Sequence, residues 1–425
     1  MSALSSINAG DTAWVLMSGA LVLFMTPGLA IFYGGMVRAK STLNMMMMSF
    51  AAMGTTTILW VLYAYSLTFG PDAGGGFIGN FRNIGLAHTL DEVIGAPGHT
   101  IPSLAFSMFQ LTFAIITVAL LSGAIADRAK YGAWVLFTGI WLTLVYVPIA
   151  HWAFASQGGK GGWIVDRLGA LDFAGGTVVE INSGAAALAL AIVLGKRNGF
   201  KRDPMRPHNM PLVLLGAGML WFGWFGFNAG SALAANGLAA TAMINTQVAT
   251  AAASMSWLAY ERLREGKATT LGAASGAVAG AVAITPACGF VTPLGALVIG
   301  LAGGVACAWG VSRKYKFNYD DSLDVVGVHG IGGFVGMIAI GLLATKSVNA
   351  LGANGLFVSH SPSLLGKQII AALSAAAYSF TVTWIIATFI QKTIGFRVHR
   401  DVELEGLDTT IHAESAYDIS TFVTR

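Results

Sequence analysis

Two ionisable residues sit inside apolar runs. Glu180 follows Leu171-Asp172-Phe173-Ala174-Gly175-Gly176-Thr177-Val178-Val179, and His329 ends Asp324-Val325-Val326-Gly327-Val328-His329. A charge at the centre of a lipid-depth helix costs roughly 2.5–3.5 kcal/mol by insertion scales, which marks such residues for function or for a specific partner. Facing each other in a dry interior, a carboxyl and an imidazole would titrate as one coupled pair and could share a proton. That chemistry suits a proton relay, or a hydrogen-bonding rail for a small polar solute. The plainer reading is a packed pair that only braces the structure. Asp172 precedes Phe-Ala-Gly-Gly-Thr and reads as a helix N-cap. An anion there would also draw cations and orient backbone groups. Asp324 reads as structural.

Aromatic residues form a second constellation. Gln110 and Phe113 lie in Phe109-Gln110-Leu111-Thr112-Phe113, and Trp152 and Phe154 lie two residues apart. Phe227 and Ser231 close Trp221-Phe222-Gly223-Trp224-Phe225-Gly226-Phe227-Asn228-Ala229-Gly230-Ser231. Ring faces beside a hydroxyl would hold a small cation by cation–π attraction and a hydrogen bond. The alternative is an interfacial belt of aromatics. The dense glycine spacing around Phe227 favours close packing instead.

The elements that must position these residues follow from composition. Of 425 residues 55% are hydrophobic and 10% charged, against about 25% charged in soluble domains. With the long apolar runs this indicates an all-α polytopic membrane protein in contact with lipid, and gives no support to a nucleic-acid partner. The 54 glycines imply helices that approach closely. The first 37 residues hold no Lys or Arg, so no cleavable signal peptide is expected. Eleven spans are predicted: 12–35, 43–69, 102–125, 131–152, 173–194, 210–229, 239–259, 269–287, 292–312, 323–344 and 367–391. With the N-terminus outside and the C-terminus in the cytoplasm, only Arg82, Lys160, Arg167, Lys346 and Lys367 fall outside. The other 19 of the 24 Lys and Arg, Arg425 included, fall inside. That asymmetry supports a multi-pass cell-membrane protein, N-out and C-in.

Eleven spans suggest two inverted five-helix repeats plus one extra helix. Helix 5 then pairs with helix 10, placing Glu180 and His329 near the midplane where repeat interfaces build their sites. The Asp172–Glu180 and Asp324–His329 spacings differ, so the symmetry is suggestive only. The chain divides into a membrane domain, 1–394, and a soluble, polar cytoplasmic tail, 395–425. Cys288 and Cys307 read as core residues. No metal-ligand spacing, phosphate loop or nucleophile elbow stands out, so no metal, cofactor or enzyme activity is expected.

The whole chain resembles the ammonium transporter (Amt/Mep) family of the Amt/Mep/Rh superfamily. The resemblance rests on Phe32-Tyr33-Gly34-Gly35-Met36-Val37-Arg38, Asp172-Phe173-Ala174-Gly175-Gly176, Gly223-Trp224-Phe225-Gly226-Phe227-Asn228-Ala229-Gly230-Ser231 and Leu271-Gly272-Ala273-Ala274-Ser275-Gly276. It continues through Ile284-Thr285-Pro286-Ala287, Gly327-Val328-His329-Gly330 and Glu405-Gly406-Leu407-Asp408. It implies a homotrimer with one pore per subunit. It implies that Ser231 binds ammonium in an outer vestibule, that Phe113 and Phe227 are stacked gating rings, and that Gln110 lies one turn from the first ring. Asp172 matches an acid that supports ammonium binding or deprotonation without direct contact. Phe154 stands where the family usually has a Trp, and Trp152 is the alternative ring. His329 matches the second histidine of a pore pair; Glu180 stands where most members have the first. The tail residues Gly395, Arg397, Glu405, Gly406, Leu407, Asp408 and Tyr417 are implied to couple subunits and to dock a PII-type signal protein.

The function expected from these residues is transport of ammonium, with methylammonium as a substitute substrate. Ammonium is captured, deprotonated near the rings, and passed as ammonia along Glu180 and His329 with its proton returning along that pair. Two other readings compete: an ammonium sensor that signals through its tail, and a neutral gas or water channel.

Overall fold

In a membrane, backbone N–H and C=O groups must be satisfied within the segment, which makes long apolar runs helical. The structure, a computed structural model, describes residues 6–417. Long helices occupy each region where a span is expected. They are α1 (Ala9–Met36), α2 (Ala39–Phe69), α3 (Ser103–Ile125), α4 (Tyr131–Phe154), α5 (Gly176–Leu194) and α6 (Met210–Gly230). They continue as α7 (Gly237–Glu265), α8 (Thr270–Ile284), α9 (Pro293–Phe317), α10 (Val326–Leu343) and α11 (Ser363–Thr393). By length and composition, 9 of the described helices can cross a membrane. The other two are α7, which carries Asn245, Thr246, Gln247 and Thr250 mid-helix, and α8, which has only 15 residues. The fold is thus an all-helical polytopic membrane bundle. Its described strands are two short ones, β1 (Val93–Ile94) and β2 (Ile101–Pro102), paired antiparallel with Val93 opposite Pro102.

Small residues set the helix spacing. A Cβ on Gly216 of α6 would lie 2.4 Å from the Phe32 backbone of α1, and one on Gly300 of α9 2.4 Å from the Ala249 carbonyl of α7. A similarly close crossing joins α5 to α10: a Cβ on Gly184 would lie 2.2 Å from the Gly330 Cα. Both helices open in a wider π turn, Gly176–Ile181 and Val326–Gly330. Such turns cluster at functional sites because the extra residue re-aims a side chain.

The tail stays against the bundle. Phe396 and Leu407 are fully buried, and Phe396 packs on Phe137. Two short helices follow, α12 (Arg400–Glu405) and α13 (Leu407–His412). The expectation of a soluble, polar extension overlooked these anchors. Arg425, counted among the inner charges, lies outside the described residues.

Candidate functional site

Asp172 is the cap that lets α5 open as a π turn. One carboxylate oxygen accepts from the Gly175 and Gly176 N–H groups at 2.8 and 2.6 Å, and the other from the Thr177 N–H at 2.7 Å and its hydroxyl at 2.5 Å. Gly175 sits at φ 114°, a conformation that favours glycine. The turn brings Glu180 inward, where it is 1% exposed.

On α10 the corresponding acid is Asp321, not Asp324. Asp321 accepts from the Val326 N–H at 2.7 Å, five residues downstream, as Asp172 does from Thr177. It also stands eight residues before His329, as Asp172 stands eight before Glu180. Asp324 occupies a left-handed turn, φ 66°, and is bonded by Lys314 Nζ at 2.5 Å. The unequal spacing noted in the sequence therefore came from pairing the wrong carboxylate.

With backbones touching at Gly184 and Gly330, the two inward residues meet. His329 Nδ1 lies 2.6 Å from Glu180 Oε2, so one proton bridges them, donated either by the ring N–H or by the carboxyl O–H. Glu180 Oε1 is buried with no hydrogen-bond partner. An orphaned buried acceptor is costly unless something transient satisfies it. A cavity of about 20 Å³ borders the pair on one side, lined by Phe227, Trp224, Leu29 and Val179 among others. That volume holds about one water-sized molecule. A second cavity, about 10 Å³, lies between His329 and Leu323, Tyr33 and Asp324.

Phe113 and Phe227 are stacked, with centroids 4.1 Å apart and planes at 23°. Phe154 meets Phe113 edge-on at 6.3 Å. Trp152 joins a different cluster: its indole N–H donates to the Phe77 carbonyl at 2.9 Å and its ring lies 4.8 Å from Tyr378. Ser231 caps α6 and its hydroxyl donates to the Phe227 carbonyl at 2.9 Å, leaving oxygen lone pairs to accept. Gln110 is buried one turn before Phe113, and its Oε1 has no partner.

Of the tail residues, Gly395 and Gly406 sit at φ 75° and 123°. A Cβ on Gly406 would lie 2.7 Å from Lys40 Cβ. Arg397 donates to the Leu194 carbonyl at the end of α5 and to Glu403. Asp408 accepts from the Leu43 and Asn44 N–H groups at the start of α2. Leu407 is buried, Glu405 is exposed, and the Tyr417 hydroxyl meets His208 Nε2 at 2.8 Å.

Residues 13–417 match the model of the Ammonium Transporter Family. The chain belongs to the ammonium transporter family. It is 53% identical to an ammonium transporter of Mycobacterium tuberculosis, covering 97% of this chain and 91% of that protein. It is 49% identical to an ammonium transporter of Bacillus subtilis, over 97% of this chain and all of the other. A crystal structure of Mep2 from Candida albicans superposes with a TM-score of 0.87 at 35% identity, covering 94% of this chain and 89% of that one. Membership makes the protein a transporter family member rather than an enzyme.

Sequence reasoning missed three features of this ammonium transporter family member. The first is Asp321. The second is a polar chain beside the cavity: Trp224 Nε1 donates to Thr285 Oγ1 at 2.9 Å, Thr285 to Asn228 Oδ1, and Asn228 to Thr246 Oγ1. The third is a buried ion network opposite the Ser231 face. Arg197 donates to Asp320 through its backbone N–H, Nε and Nη2 at 2.7–2.9 Å. Burial alone would raise the Asp320 carboxyl; the Arg197 bonds and charge override this and hold it down at about 2. The partners are more than a hundred residues apart, so local spacing gave no signal.

Proposed function

We propose that the chain moves ammonium across a membrane through a pathway that runs from Ser231 past the Phe113–Phe227 stack to Glu180 and His329. The observation that carries this is the 2.6 Å Glu180–His329 contact beside a one-molecule cavity that Phe227 also lines. Ammonium is held by the Ser231 hydroxyl oxygen and the faces of Phe113, Phe227 and Phe154. The cavity is too small and apolar to hydrate a cation, so the ion leaving the stack gives its proton to the Glu180–His329 pair that lines the cavity, and ammonia enters. Glu180 Oε1 accepts a hydrogen bond from it, and the proton is carried by the Glu180–His329 pair. Asp172 holds the α5 opening and thereby the position of Glu180; it acts as a positioning residue.

In this reading eleven helices cross, α1–α5 and α6–α10 are inverted repeats, and the Ser231 face is outside with the tail in the cytoplasm. The equivalent caps by Asp172 and Asp321 support the repeat. Residues 1–394 conduct, and 395–425 regulate through Gly395, Arg397, Glu405, Gly406, Leu407, Asp408 and Tyr417. The subunits assemble as homotrimers, and a PII-type protein docks at the tail face. Uptake of labelled methylammonium into proteoliposomes tests the reading: saturable uptake that ammonium inhibits supports it. Ammonium binding without any uptake would instead favour a sensor, a role that the docked tail could serve.

A further inference from the structure

The largest basic cavity among the described residues is on the tail face, on the inner side of the Glu180–His329 pair. A cavity of about 580 Å³, within the range of small-molecule sites, opens among the α5–α6 connection, the end of α9 and Arg38. Asp127 and Asp324 in its wall are already matched, by Arg197 at 3.4 Å and Lys314 at 2.5 Å. The remaining charge is cationic: Lys201, Arg202 and Arg206 against Asp203, none of them in an ion pair among the described residues. Arg38 also lines the cavity, paired with Asp127 and Glu403 at 3.4 and 3.9 Å. Exposed guanidinium groups with no carboxylate partner, as at Arg202 and Arg206, are sites for an oxyanion.

The same cavity has an aromatic wall. Phe200 and Tyr315 stack with centroids 5.8 Å apart and planes at 13°, and the Tyr315 side is open to solvent. A bias of basic residues toward one membrane face follows from insertion alone. It does not require that they converge on one cavity beside an exposed tyrosine ring. We infer that this cavity binds a nucleotide, its phosphates on Lys201, Arg202 and Arg206 and its base against Tyr315. Leu323 and Asp324 line both this cavity and the smaller one below His329, so the ligand sits beside the pair's inner side.

Titration of the purified full-length protein in neutral detergent with ATP, tripolyphosphate, or vesicles containing phosphatidylglycerol tests this, without added magnesium. Saturable ATP binding is expected, tighter than tripolyphosphate. The double variant Arg202→Ala/Arg206→Ala should weaken both ligands about tenfold or more, with its ligand-free melting temperature unchanged. Tyr315→Ala should weaken ATP alone. Equal affinity for ATP and tripolyphosphate, insensitive to Tyr315→Ala, would remove the nucleotide from the site. No saturable binding, binding unaffected by the double variant, or retention on anionic vesicles alone would overturn the proposal altogether.

Discussion

The openings of α5 and α10 are built on one plan and finished differently. Each is a π turn capped by a carboxylate eight residues before the inward residue. Asp172 spends both oxygens on three N–H groups and a hydroxyl. Asp321 accepts from Val326, keeps Oδ1 without a partner, and lies beside Lys314, which bonds its backbone carbonyl at 3.0 Å. One opening is therefore locked and the other retains a spare buried acceptor near charge. The difference continues inward, where the first delivers an acid and the second an imidazole.

The comparison breaks most completely where the two openings touch. Gly184→Val would force a branched side chain into the Gly330 backbone, a clash of about 3 kcal/mol. Loss of methylammonium uptake is expected together with a clear drop in melting temperature; a variant that melts and transports like wild type would mean the crossing is slack. Next in size is the locked opening. Asp172→Ala leaves three N–H groups without an acceptor, costing about 2 kcal/mol, and frees Glu180 to leave its position. Uptake should fall to background, whereas Asp172→Asn, which keeps one strong acceptor, should retain a measurable fraction.

The smallest effect belongs to the other cap. Burial, then the Asp324 charge, raise the Asp321 carboxyl to about 6, against Lys314 and the Val326 and Val325 N–H groups. The folded chain thus holds this proton more tightly than the unfolded one. Its stabilising contribution is complete below the unfolded value and is lost as pH rises through about 6. Asp321→Asn preserves the acceptor for Val326 and removes the ionised form. It should melt above wild type at pH 7–8, by on the order of 1 kcal/mol, and converge with it near pH 4. Thermal unfolding across that range checks the sign.

Much of this was legible before any coordinates. The eleven helical regions follow from apolar runs and from the distribution of Lys and Arg, because lipid forces helices wherever charge is absent. Glu180 and His329 stand out for the same reason in reverse. The cap of α10 was not legible: Asp324 is nearer to His329 in sequence, and only the left-handed turn at Asp324 shows that Asp321 does the capping. Trp152 and Phe154 could not be separated either, since two residues on a helix point about 160° apart and sequence does not say which way the helix is turned. The docked tail depends on Asp408 reaching N–H groups at residues 43 and 44, a contact no local pattern encodes.

In the proposed mechanism ammonium gives up a proton which then travels along Glu180 and His329. Ammonium-evoked current from proteoliposomes, recorded across pH for wild type and Glu180→His, tests it directly. A transient inward current is expected in both, with its pH dependence displaced in the variant because the acid half of the pair is gone. Uptake without charge movement in wild type, or identical pH profiles in the two proteins, would contradict it.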